Sequence, residues 1–517
     1  MNADSAKVAR LRAEVADVSV SRRTTARPSA GAGPKGYVGR ARRRKGASMV
    51  GTLARKEFLE KLLTLRFLLA ALMCVGVLPG LVLVRSWEYR ARAQTYPKTV
   101  GEYRKRIAEL PREFTWATFQ HPVARPLNPM SILVEPVDLR DGGEVEILWN
   151  RMPNYLRSDK SNPLPVLFPG FDLLSFVTVV MSLLAVVFAF DSVCGEKEGG
   201  TLKLMMSNAV SRGTVLAGKW LGGMAALLLP FFVGSILTAL VLLVTASGQL
   251  AAAHWVELAA IGLVSVVFIS VAFTAGLLVS ALTAHAATSA ALLLLLWALS
   301  FLVYPNLAPK AAGWLSPAPS TKEYSEEQFR YWEPAYKEMQ ALDEEFDAKW
   351  EPVRNDPAMK NDYWIRKREI ARRRVALANQ VLGGFHEAVS RKVEKQVGVT
   401  AAVLRALPLG SYALAFDELA GTGAGERARL LTAVGRYQDA FFAYFSNRSV
   451  EMMQRRKDEG LSDMPRYSAG DFPLFAYQET TWVERLSHSL LDVVLLAAWN
   501  VVLFLAAYVR FLRYDVS

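Results

Sequence analysis

Six stretches of the chain stay apolar for about as long as a helix needs to cross a bilayer. They are Phe67–Val84, Phe171–Phe190, Trp220–Val244, Trp255–Leu282, Ala286–Tyr304 and Ser489–Val509. A hydrocarbon core of about 30 Å takes roughly 20 helical residues. None of the six alternates at period 2, which argues against an outer-membrane barrel, and open strands cannot satisfy their backbone groups in lipid. The pattern therefore predicts six transmembrane helices, with Pro79 near the outer end of the first and Pro230 interrupting the third. Two long polar stretches separate them. Residues 85–170 are Pro-rich with short β-like runs at Ser131–Val134 and Val145–Trp149, and read as a small mixed α/β domain. Residues 307–485 read as long polar helices at roughly Ser325–Trp350, Asp362–Val397 and Glu426–Glu459, with Pro352 and Pro357 breaking the first pair. The expected fold is mainly α: a polytopic membrane protein with six transmembrane helices and two large external segments.

Along the chain, residues 1–48 form a basic extension, 49–84 a lead-in helix and the first span, and 85–170 the first external domain. Residues 171–306 hold spans two to five with a loop at 192–213. Residues 307–485 form the second, helical external domain, and 486–517 the last span and tail.

Composition excludes two classes. Of 517 residues, 52% are apolar and 21% charged, too much apolar surface for a disordered chain. Two cysteines rule out a disulfide scaffold. The net charge of +13 invites a polyanion partner, but residues 1–61 hold 15 Lys+Arg against 5 Asp+Glu, so ten of those charges precede the first span. The 1–48 segment shows no apolar period before about Leu53 and is expected to be disordered: a solvated tail beside a membrane, with a nucleic-acid arm as the competing reading. Met49 opens a compact start of its own, so residues 1–48 also read as an extension ahead of the true one. No nucleic-acid partner is expected for the rest.

The remaining Lys and Arg orient the spans. Arg66 stands at the lip of the first, Lys197, Lys203, Arg212 and Lys219 lie in or beside the 192–213 loop, and Arg510 and Arg513 end the chain. Six spans put all of these on one side, so both termini are expected in the cytoplasm of an inner-membrane protein. Ala91-Arg92-Ala93 resembles a signal-peptidase site, but Arg85, Glu88 and Arg90 intervene, and an uncleaved anchor is expected.

Catalytic and metal patterns are missing. Five His are scattered with no His-x-x-x-His, and His254 with Glu257 makes a lone His-x-x-Glu, read as an interfacial polar pair. There is no Cys-x-x-Cys and no Gly-x-Ser-x-Gly. Cys74 and Cys194 read as structural. Gly213-Thr-Val-Leu-Ala-Gly218-Lys219 fits a phosphate loop up to its lysine, but Trp220 stands where Ser or Thr must hold magnesium, and the segment opens a span. Lys219 and Trp220 are expected instead as interfacial anchors. Gly421–Gly425 reads as a loop joining helices. Asp492, with Asn500 on the same face of the last span, reads as an aspartate facing headgroup water. The basic run from Arg366 to Arg374 reads as a solvated helix face. No enzymatic site and no cofactor are expected.

The most informative stretch runs from Asp191 to Lys219. Gly199-Gly200 breaks the chain after the second span, and Thr201 can cap a helix, with Glu196 and Glu198 near its positive end. Leu202, Met205 and Met206 make an i, i+3, i+4 apolar ridge on a helix too short to stand alone. It needs either the membrane surface or a partner's groove. Ser211 is placed to cap the third span.

An acidic-Gly-Gly-Thr-Leu run, then Ser-Asn-Ala-Val-Ser-Arg, then Gly-Lys resembles the coupling loop of ABC-2 type exporter permeases, although Ala209 stands where that family usually carries Pro. Leu53-Ala-Arg-Lys-Glu-Phe58 resembles the family's lead-in helix. Arg125–Leu133 and Leu409–Gly423 resemble two external motifs of the branch linked to multicopper-enzyme maturation and gliding. The resemblance covers residues 49–517, the external parts more loosely. It implies a non-catalytic membrane subunit that pairs with itself or a related permease and recruits separate ATP-binding subunits, which hold the ATP. On that footing Glu196, Glu198 and Arg212 are the charged contacts with the ATPase, beside Thr201. Leu202, Met205 and Met206 fill its groove, and Arg55, Lys56 and Glu57 offer a second contact. The alternative is a mechanotransmission protein whose external helices move while nothing crosses. The nearly all-apolar spans lean towards a hydrophobic cargo over a metal ion.

Overall fold

The computed structural model describes residues 37–108, 121–136, 144–148, 151–155, 170–207, 210–246, 248–460 and 473–514. The chain divides into two units, Met1–Met49 and Val50–Ser517. The helix α1, Tyr37–Leu62, begins well ahead of Leu53. The expectation of disorder therefore fails from Tyr37 onward, where Ala, Arg and Lys favour helix without any apolar period. Residues 1–36 lie outside the described residues. The membrane helices all belong to the second unit.

Six helices are long and apolar enough to cross a membrane: α2 Leu65–Glu102, α3 Leu173–Glu198, α5 Arg212–Thr245, α6 Ala252–Leu282, α7 Ala286–Leu315 and α12 Trp482–Leu512. Each contains its predicted stretch or, for α3, nearly all of it. This is a multi-pass membrane protein. α2 runs unbroken through Ala91-Arg92-Ala93. Local caps set several starts. Thr64 accepts from the Phe67 N–H, Ser211 accepts from Thr214, and Thr481 makes a capping box with Glu484. The short helix between α3 and α5 is α4, Thr201–Ser207, reached through Gly200 at φ +67°.

The opposite end of the bundle carries the long polar segments. α8 is Thr321–Trp350, α9 Lys360–Leu404, α10 Pro408–Ala420 and α11 Ala424–Asp458. α8, α9 and α11 contain almost all of the three predicted polar helices. α10 was not foreseen as a helix. It is wedged against α6 and α12, burying Tyr412, Ala415, Phe416 and Leu419. The 85–170 segment continues as helix to Ala108, and its described residues beyond that include a three-stranded antiparallel sheet, β1 His121–Ala124, β2 Glu144–Leu148 and β3 Arg151–Tyr155, in the order β1-β2-β3. β2 overlaps the predicted Val145–Trp149 run. Ser131–Val134 is a correction: Pro129–Ile132 is a 3-10 turn, because Asn128 caps it through the Met130 N–H and Pro129 stands at its start.

Two sequence-level readings of charge also change. Asp492 does not face headgroup water. It is fully buried and takes a bidentate pair from Arg405 at 2.6 and 3.0 Å. Asn500, further along the same face, donates to Ser270 at 2.6 Å and accepts from Thr274 at 3.0 Å. His254 and Glu257 are not a pair either. The His254 Nδ1 accepts the Ala251 N–H, while Glu257 turns to Arg485.

α5 packs on α1 through glycine. A Cβ at Gly222 would stand 2.5 Å from the Ala54 carbonyl oxygen and 2.6 Å from the Glu57 Cβ. With Gly218 against Leu53, this is close small-xxx-small packing. Gly222→Leu is expected to destabilise the protein by about 1–3 kcal/mol, whereas Gly262→Leu, where nothing lies within 4 Å, should be near neutral. Thermal unfolding of the two purified variants in one detergent checks this.

Candidate functional site

The loop end of the bundle gathers α1, the start of α2, the end of α3, α4 and the start of α5. At its centre is Lys219, 3% exposed, whose ammonium donates to Glu57 at 2.7 Å and to Glu196 at 2.6 Å. Lys219 is therefore not an interfacial anchor. A lysine buried at the first turns of a membrane helix is tolerated because two carboxylates from separate elements neutralise it. Trp220 likewise turns inward and donates to Thr274 at 2.9 Å. Gly213 and Gly218 lie inside the continuous helix α5, so no phosphate loop forms.

Beside this cluster is a cleft of about 730 Å3, lined in part by Glu60, Lys61, Arg66, Asp191 and Glu196. Arg66 pairs with Asp191 at 2.7 Å and lies 4.7 Å from the centre of the Phe190 ring. Lys61 donates to the Phe188 carbonyl at 2.5 Å and to Ser192 at 3.4 Å. Burial pulls its ammonium below the usual lysine range, against the pull of Asp191 and Glu57. The Glu196 Oε2 is buried with no hydrogen-bond partner among the described residues.

α4 turns its ridge inward. Leu202 is 1% exposed and packs with Val193, Val215, Leu277 and Phe511, with Met205 and Met206 beside them. The ridge thus has its groove within this chain, a third outcome beyond the membrane surface or a partner. The loop presents Leu204 instead, 70% exposed. Arg212 donates to the Leu512 and Tyr514 carbonyls and closes the end of α12. Glu198 accepts the Ala286 N–H at 3.1 Å, at the start of α7. Thr201, Arg55 and Lys56 are exposed, and Lys56 pairs with Glu60 at 3.4 Å. Of the sequence-predicted contacts, Glu57, Glu196, Leu202 and Arg212 spend their side chains holding the loop to the bundle. Arg55, Lys56, Glu198 and Thr201 remain at the surface.

A second polar cluster lies at the opposite end. Arg485, 2% exposed, donates to Glu257 at 3.1 Å and to Thr480 at 3.1 Å, and stands 3.7 Å from Glu479. Gly421 ends α10 at φ +62°, and a Cβ there would stand 2.6 Å from the Arg485 guanidinium carbon. Only glycine meets both demands. The Asn128 amide donates to the Ala420 carbonyl at 2.8 Å, which joins the two external motifs. Glu426 meets Arg125, Arg429 and Tyr477. Burial works to raise its carboxyl, but the Tyr477 hydroxyl and the two guanidinium groups hold it below the usual range. Among the described residues no group of three or more His, Cys, Asp or Glu is placed to hold a metal ion.

A loop tied into a six-helix bundle matches the expected architecture, and comparison decides the family. The model of the ABC-2 family transporter proteins matches residues 52–516. The chain belongs to that family. A stretch of 62 residues is 42% identical to a probable ABC transporter permease protein, NosY, of Pseudomonas aeruginosa, and 40% identical to the protein of that name from Stutzerimonas stutzeri. Each match covers 12% of this chain and 22% of the relative, so the chain spans about a fifth of the length of these curated relatives.

Within this ABC-2 protein, sequence reasoning found the loop but missed its fastening. Lys219 carried a signal: it is the lysine of an incomplete phosphate loop at the mouth of a span. Lys61 and Arg485 carried none, since each is an ordinary basic residue until partners from distant segments surround it.

Proposed function

We propose that the chain is the membrane subunit of an ATP-driven ABC-2 exporter, with ATP bound and hydrolysed on separate ATP-binding subunits. It pairs with itself or with a related permease, and both termini and the 192–213 loop face the cytoplasm. The observation that carries this reading is Lys219, which ties the lead-in helix through Glu57 and the loop through Glu196 to the head of α5. A push on the loop is then delivered to α5 and, through Arg212, to the end of α12. Family membership and the permease relatives support the reading. The inward ridge changes which residues would touch the ATPase: Leu204 with Glu198 and Thr201 on the loop, and Arg55 with Lys56 on α1.

Leu204→Asp is expected to lower ATP hydrolysis stimulated by this subunit about tenfold, the equivalent of ~1.4 kcal/mol of lost contact, while leaving the thermal unfolding midpoint in place. Leu202→Asp should instead lower that midpoint, because it places a charge in a packed core. Hydrolysis by the reconstituted complex, with unfolding measured beside it, separates the two. Unchanged stimulation in Leu204→Asp would sink the loop assignment.

One observation favours the mechanotransmission reading. α12 is joined to the end of α9 by a bidentate ion pair, Arg405 with the fully buried Asp492. Tilting α12 would move the long helices whether or not cargo crosses. ATP-dependent changes in protease cutting near Glu326 or Arg373, without transport in sealed vesicles, would select it.

A further inference from the structure

The cleft beside Lys219 has features that holding the loop does not use. It carries both signs of charge: the cations Lys61, Arg66 and Lys219, and the carboxylates Glu57, Glu60, Asp191 and Glu196, with Arg66 paired to Asp191 at 2.7 Å. Counting the whole lining, four carboxylates face three cations, so a simple anion would meet net repulsion. The Glu196 Oε2 is a buried acceptor without a donor, and such a group is costly unless something supplies one. The hydrogen bonds that Lys61 donates go to neutral groups, a carbonyl and a hydroxyl. The wall also includes Leu65 and Leu69, 70% and 46% exposed on the first turns of a membrane helix.

These features place the cleft at the depth where lipid headgroups lie. Thr64 caps the start of α2, Leu65 and Leu69 belong to its outward surface, and Asp191 and Ser192 follow the apolar run of α3. A ligand fitting all of this is amphiphilic, carries an anionic and a cationic centre, and has N–H groups to donate. We propose that the cleft holds the headgroup of a phospholipid with a primary ammonium, of the phosphatidylethanolamine type, its phosphate on Lys61 and Arg66 and its ammonium on Glu196 and Glu60. The acyl chains then run along Leu65 and Leu69. A primary ammonium offers three donors to the orphaned carboxylate oxygen, and a trimethylammonium offers none. The apolar wall favours lipid over the basic side chain of a partner protein, for which two membrane-facing leucines have no use.

The test uses the full chain, delipidated in detergent and offered phosphatidylethanolamine, phosphatidylcholine or phosphatidylglycerol in mixed micelles, with bound lipid counted by native mass spectrometry. Phosphatidylethanolamine is expected to bind about tenfold more tightly than either of the others, a difference of ~1.4 kcal/mol. Glu60→Gln with Glu196→Gln should abolish that preference, and Lys61→Gln should weaken all three lipids. Where the double variant fails to fold by size exclusion, Glu60→Gln alone, at an exposed position, should still reduce the preference. Equal binding of the three lipids, or a preference untouched by these changes, overturns the proposal. Displacement of the lipid by O-phosphoethanolamine at equal concentration overturns it in favour of a soluble phosphoamine. A cleft that excludes lipid and fills only when an ATP-binding subunit is added overturns it in favour of a protein side chain.

Discussion

Lys219→Met is expected to cost the folded protein about 3–5 kcal/mol, because it strands Glu57 and Glu196 as buried carboxylates without their shared cation. Methionine is an unbranched chain one atom shorter than lysine that removes the charge and its donors, so lost packing contributes little. The loss should appear as a large fall in the unfolding midpoint in detergent and in the yield of monodisperse protein. The triple variant Lys219→Met, Glu57→Met, Glu196→Met should recover most of that stability, since replacing a whole buried ion cluster by hydrophobic side chains of similar size is often close to neutral. Recovered stability does not mean recovered coupling. The triple variant loses the charged tie between α1, the loop and α5, so under the proposed function its stimulation of a partner's ATP hydrolysis is expected to stay low. If Lys219→Met is as stable as the parent, the cluster does not hold the loop and its role in coupling falls with it.

Arg485→Met is the second large effect, again about 3–5 kcal/mol. Its guanidinium donates to the Glu257 Oε1 in α6 and to Thr480 in the segment before α12, and it fills the space that Gly421 leaves open. Removing it strands Glu257 and opens a void under the end of α10. Glu257→Gln added to Arg485→Met should return the electrostatic part but not the packing part, so the double variant should sit between parent and single variant. A Gly421→Ala variant tests the same contact from the other side. It combines a left-handed backbone with a clash against the guanidinium, and limited proteolysis of α10 and α11 should report their loosening.

Much of the architecture was legible because the bilayer imposes one simple demand. A span must be apolar for about 20 residues, and that demand is met locally, so all six helices can be read without knowing what they touch. The long polar helices α8, α9 and α11 were legible for a similar reason: each is a long, highly charged run, with charges that balance over residues 307–485 as a whole, and proline breaks the first pair. α10 was not, because it is short and its apolar face makes sense only against α6 and α12. Ser131–Val134 looked like a strand because Ile132, Leu133 and Val134 are apolar, but the cap from Asn128 set the turn.

The loop shows the same division. Its motif, its glycine break and the Ser211 cap lie within one continuous stretch, and reasoning along the chain found them. The direction in which the ridge faces did not lie there. An i, i+3, i+4 pattern specifies a face and leaves its partner open. Val193, Val215, Leu277 and Phe511 come from separate membrane helices, and only their convergence turns Leu202, Met205 and Met206 inward.

By itself the sequence determined a six-span helical membrane protein with a loop of the ABC-2 kind, because apolar length and local motif are properties of neighbouring residues. The tertiary structure decided what the charges do. Lys219 meets Glu57 and Glu196, Arg485 meets Glu257, and Arg405 meets Asp492, each pair drawn from separate elements. A charge near a membrane is either at the interface or paired inside the bundle, and those alternatives look the same in sequence. They differ only in whether a counter-charge from another segment is within hydrogen-bond reach.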